Sequence, residues 1–61
     1  MPLIEVKLYD TRVADQAQVE RIIAKLTDAL CEATEEGIRE HTWVIVEGIP
    51  KSQWGRGGQA G

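Results

Sequence analysis

Pro2 carries the most pointed chemistry in this 61-residue chain. Methionine followed by proline is normally removed after synthesis, and the nitrogen of Pro2 is then a free secondary amine. An α-amino group has an ordinary pKa of about 7.7–8.0, which desolvation or a nearby cation lowers. A base poised near neutrality suits proton abstraction beside a carbonyl. Taken alone, a proline at position 2 is equally well a plain strand-edge residue. Arg12 follows the first apolar run, at the end where a parallel sheet places its loops. It could grip a substrate carboxylate with both prongs and hold the reacting carbon near the base, or be a solvated loop arginine. Arg39 and Arg56 have the same two readings. Trp54 lies in a glycine-rich stretch, where it could wall a pocket or pack on a neighbouring subunit.

Other groups promise less. A metal centre is not expected, because Cys31 and His41 are the only soft or imidazole ligands and structural zinc takes four. Gly55-Arg56-Gly57-Gly58-Gln59-Ala60 matches a dinucleotide fingerprint, but that motif must open a helix and only Gly61 follows. No cofactor is therefore expected. Cys31 lies on or beside the apolar side of a helix and is expected to pack. Glu32, Glu35 and Glu36 are expected to be a solvated helix end.

These residues need elements to position them. Ile4, Val6 and Leu8 alternate with Glu5 and Lys7, the pattern of a strand over residues 3–8 with one apolar face. Tyr9 to Arg12 breaks the pattern as a loop. Asp15 is placed to cap a helix, and Val19, Ile22, Ile23, Leu26, Leu30 and Ala33 form its apolar stripe. Gly37 is the expected helix stop. Trp43-Val44-Ile45-Val46 is a β-branched apolar run, suited to a parallel strand covered on both faces. Strand, helix and strand make a βαβ unit with a right-handed crossover. The fold class is α/β (α+β): one domain over residues 1–61, ending in a glycine-rich hairpin or loose tail.

Composition limits the partners. The net charge is -3, with 10 acidic and 7 basic residues and no basic stripe, so nucleic acid is not an expected partner. No apolar run approaches the roughly 20 residues of a membrane span. The opening, with acidic Glu5 and alternation, is unlike a signal peptide, and a lone cysteine suits a reducing compartment; a cytoplasmic location is expected. A domain this short buries only about 60% of its unfolded surface, and with disulfide and metal excluded, self-association is the remaining support.

Met1-Pro2-Leu3-Ile4-Glu5-Val6, Asp10-Thr11-Arg12, Trp43-Val44-Ile45-Val46-Glu47 and Pro50-Lys51-Ser52-Gln53-Trp54-Gly55-Arg56-Gly57-Gly58, in this order, resemble the 4-oxalocrotonate tautomerase family. The resemblance implies a βαβ subunit with a short hairpin, whose dimers assemble into a homohexamer or related trimeric arrangement. It implies a processed Pro2 as general base, Arg12 orienting a small carboxylate substrate and Trp54 lining the site. The reaction implied moves a proton between carbons of an unsaturated 2-keto or 2-hydroxydienoic acid. Thr42 stands where the best-known members carry a second arginine, and Arg39 or Arg56 is the expected substitute. Nothing near Gln53 matches a water-activating carboxylate. The alternative function is a non-catalytic assembly subunit, or a small-molecule binder, on the same scaffold.

Overall fold

Strand β1 (Leu3–Tyr9) and strand β2 (Trp43–Ile49) run parallel, in a register that sets Leu3 beside Trp43 and Tyr9 beside Ile49. The computed structural model describes all 61 residues. Side chains alternate between the two faces of the pair: Ile4, Val6, Leu8, Val44 and Val46 are half-buried, while Leu3, Glu5, Lys7, Trp43, Ile45 and Glu47 are exposed. Helix α1 (Gln16–Ala33) links the strands and lies across β2. Its start is fixed by Asp15, whose carboxylate accepts the Ala17 N–H at 3.0 Å, satisfying one of the helix's free donors. Val19, Ile22, Ile23, Leu26 and Leu30 are half-buried as their spacing predicts, and Cys31 is buried.

Two details of the helix differ from the sequence reading. Ala33 is exposed, one position beyond where the stripe meets the sheet. The helix ends at Ala33 and not at Gly37: Thr34 leaves helical geometry, and both its N–H and its hydroxyl donate to the Leu30 carbonyl. Thr27 makes the same hydroxyl bond, to the Ile23 carbonyl, without interrupting the helix, so the stop lies in the Thr34 backbone (φ -120°, ψ -89°). Gly37 falls inside a 3-10 helix, Glu36–His41, which packs against α1 and in which Ile38 is half-buried.

Both strands run past their expected ends. Tyr9 belongs to β1, and β2 continues through Gly48 to Ile49. Gly48 is there for want of room. A Cβ built on it would lie 2.4 Å from Val13 Cγ2 and 3.2 Å from the Asp10 Cα. Asp10 opens the short 3-10 turn that ends at Arg12, so Gly48 sets how closely that turn sits on the sheet. Gly48→Ala is expected to cost about 1–3 kcal/mol as an overpacked contact and to displace Arg12. Thermal unfolding checks the first effect and substrate KM the second; an unchanged melting temperature would show that the turn yields freely.

The tail is ordered as a hairpin. Strand β3 (Gly55–Arg56) pairs antiparallel with strand β4 (Gln59–Ala60). Gly57 and Gly58 between them have φ of 60° and 84°, the positive values that a two-residue hairpin turn requires. Every residue of the hairpin is exposed.

The subunit has very little interior. Cys31, at 5% exposure, is its only buried residue, whereas Leu3, Trp43 and Ile45 are 56%, 58% and 46% exposed. The radius of gyration is 14.0 Å and the extents are 42 × 26 × 15 Å, where a compact chain of this length would have a radius of about 10.5 Å.

Candidate active site

The candidate residues divide between the two ends of the sheet. Pro2 immediately precedes β1 and is half-buried. Its carbonyl accepts the Trp43 N–H at 3.0 Å, which anchors its nitrogen at the start of the parallel pair. Arg12 follows the far end of β1, closing the 3-10 turn Asp10–Arg12. Seven strand residues lie between, a span of about 20 Å at the usual rise per residue. One subunit therefore does not bring Pro2 and Arg12 together.

Trp54 is at the arginine end. Its indole N–H donates to the Ile49 carbonyl at 3.2 Å, and its ring meets Tyr9 edge to face with centroids 5.0 Å apart. Tyr9 and Ile49 are register partners closing the two strands, so the indole is tied to the sheet's C-terminal edge. Such an edge-to-face pair adds about 0.5–1.5 kcal/mol beyond its area. Arg56, two residues on, is exposed and has no ion pair. Arg12 is likewise exposed and without an ion pair.

Arg39 is differently placed. Its Nη1 donates to Asp28 Oδ1 at 2.8 Å, its Nε to Glu36 Oε2, and its Nη2 to Glu36 Oε1 at 3.3 Å. Those bonds, with Glu36 first, hold the guanidinium pKa above its ordinary value, and Arg39 in turn holds the Glu36 carboxyl below its own. Glu36 is thus an ion-pair partner and not just part of a solvated helix end. Thr42, where the family resemblance places an arginine, turns its hydroxyl inward to the Ile38 carbonyl at 2.8 Å.

A family model described as Tautomerase enzyme matches residues 2–60. The chain belongs to the tautomerase family. No curated protein and no solved structure gave a match in the corresponding comparisons. Membership supports isomerase chemistry of the tautomerase type, and the two-strand, one-helix subunit with its C-terminal hairpin agrees with the family's βαβ fold. No helix is long and apolar enough to cross a membrane, and no cluster of three or more His, Cys, Asp or Glu side chains is placed to hold a metal ion.

Sequence reading missed two residues of this tautomerase subunit that shape the arginine end. Gly48 was legible in principle, since a glycine interrupting a strand pattern often marks close backbone approach. Tyr9 carried no such signal: its contact with Trp54 spans 45 residues of chain and depends on how the hairpin returns to the sheet.

Proposed function

We propose that this chain is an active tautomerase that shifts a proton in a small unsaturated 2-keto or 2-hydroxydienoic acid. The amine of processed Pro2 takes the proton from one carbon and returns it to another, and Arg12 holds the substrate carboxylate. The observation that carries this reading is membership of the tautomerase family over residues 2–60, together with Pro2 standing directly before β1 and Arg12 and Trp54 at its far end. Each subunit presents a base at one end of its sheet and a cation with an aromatic wall at the other. Two copies, the base of one facing the cationic end of the next, assemble what a single copy lacks.

Self-association is part of the same proposal. Leu3, Trp43 and Ile45 form an apolar patch on the sheet face opposite α1, and a chain of this size with one buried residue is marginal by itself. A homohexamer built from dimers, or a trimeric arrangement, would cover that patch and repeat the composite site around the assembly. The substrate is a small carboxylate, no cofactor is required for the proton shift, and the reducing cytoplasm is the proposed location.

The test is Arg12→Ala. Arg12 is exposed and makes no side-chain hydrogen bond, so melting temperature and assembly should hold. Loss of a charge-assisted pair to the substrate is worth about 1.5–3 kcal/mol, which should lower kcat/KM by about tenfold or more. Equal kcat/KM for variant and parent would reduce Arg12 to a surface charge and favour the non-catalytic scaffold.

A further inference from the structure

We infer that Val13 is a positioning residue for Arg12, seating the turn that carries the arginine in the space that Gly48 leaves bare; this rests on the proposed role of Arg12 and says what fixes it. The Arg12 side chain is exposed and makes neither an ion pair nor a hydrogen bond. Nothing within the subunit holds the guanidinium itself, so its place is set by the backbone beneath it. That backbone is the 3-10 turn Asp10–Arg12, closed by the Val13 N–H on the Asp10 carbonyl at 3.2 Å. Tyr9 in β1 and Asp15 at the helix cap fix the chain on either side. Between those two, Val13 is the only half-buried residue; Asp10, Thr11, Arg12 and Ala14 are exposed.

What Val13 meets on the sheet is a gap of its own shape. Alternation along β2 puts position 48 in the same row as Val44 and Val46, and Gly48 is the register partner of Leu8. The place where a side chain of residue 48 would stand is filled from two directions. Val13 Cγ2 overlaps a Cβ built there, and the Asp10 Cα lies 3.2 Å from it. Asp10 and Val13 bracket Thr11-Arg12, so both ends of the arginine's turn rest on one bare stretch of strand. A β-branched side chain suits the task. Val13 has few rotamers, so a push at its methyl group passes to the Arg12 backbone instead of being absorbed by side-chain motion. A positioning error of about 1 Å can cost about 10²-fold in rate, which makes the seat of this turn matter for a guanidinium with no other tie.

Steady-state kinetics on phenylenolpyruvate and calorimetric titration with phenylacetate, a carboxylate that cannot react, test this on the processed, assembled protein. Val13→Ala should lower both kcat/KM and phenylacetate affinity by about three- to tenfold, as for a loosened positioning group. Circular dichroism and sedimentation verify that fold and assembly are retained. In Arg12→Ala protein the same substitution should change either quantity by less than about twofold, because residues that act as a unit are not additive. Gly48→Ala pushes on the turn from the sheet side. Adding Val13→Ala to it should raise kcat/KM above that of Gly48→Ala alone, so the change that harms the parent repairs the overpacked variant. If Gly48→Ala does not fold, the comparison with and without Arg12 decides. Val13→Ala that leaves both readouts at parent values, lowers them equally with and without Arg12, or lowers kcat/KM further in Gly48→Ala protein overturns the inference. Losses in Arg12→Ala without losses in Val13→Ala remove Val13 alone. Phenylacetate binding that depends on both residues, without turnover, removes the catalytic reading and keeps the positioning role.

Discussion

Protein processed to begin at Pro2 is expected to ketonise phenylenolpyruvate, and protein that keeps Met1 is expected to give no acceleration over buffer. With Met1 attached, the proline nitrogen is an amide whose lone pair is delocalised into the carbonyl, and it has no usable basicity. Removal of one residue turns it into a secondary amine. General-base catalysis by a positioned group contributes about 10²–10⁴-fold, so the difference between the two forms should be of that order. The fold should not register the change. Met1 is 88% exposed and contributes no core, and the bond that seats Pro2 uses its carbonyl, not its nitrogen. Matching circular dichroism spectra would therefore isolate the chemistry. Because the free amine is the active form, the rate should fall as pH drops through the amine's pKa. Pro2→Ala, which leaves a primary amine after processing, should retain a reduced rate. Equal rates from the processed form, the Met1 form and a form lacking Pro2 would rule out Pro2 as the base.

The parts of this fold that follow local rules were legible in the sequence. Ile4, Val6 and Leu8 alternate because one sheet face meets α1, and Asp15 caps because a carboxylate there satisfies a free helix N–H. The parts decided by tertiary contact were not. Gly37 looks like a helix terminator, but the backbone leaves helical geometry sooner, at Thr34. Trp43 and Ile45 show an apolar run without saying which face stays uncovered in one subunit. The candidate site was legible as a set of residue types and illegible as an arrangement. Arg12 and Pro2 lie ten positions apart, a separation that could be a few ångströms across a turn or the length of a strand. Here β1 fills nearly all of it. Likewise Arg39 and Arg56 are equivalent as letters, and only the carboxylates of Asp28 and Glu36 distinguish them.

Ile45→Lys is expected to convert an assembled, folded protein into dissociated and largely unfolded chains. On an isolated subunit the change would be mild. Ile45 is 46% exposed and sits opposite Glu5 in the strand register, so a lysine there could pair across the strands much as Lys7 does with Glu47 at 2.7 Å. Surface substitutions of that sort usually stay within about 0.5 kcal/mol. Within an assembly that covers the Leu3–Trp43–Ile45 patch, the same change removes about 1.5–3 kcal/mol of apolar burial per copy. It also places a charge at a dry interface, at a further cost of several kcal/mol. A subunit with one buried residue has little stability of its own to absorb such a loss, since whole domains are stable by only about 5–15 kcal/mol. Turnover should disappear along with assembly, because Pro2 and Arg12 of one copy cannot serve one substrate. Sedimentation velocity and far-ultraviolet circular dichroism at micromolar concentration read both effects. The Lys7–Glu47 pair supplies the control: Lys7→Gln removes a charge from the same face without adding one to the apolar patch, and should leave assembly largely intact. A parent that sediments as a folded monomer, or an Ile45→Lys variant as assembled and as folded as the parent, would show that the patch is a free surface and that the composite site must be abandoned.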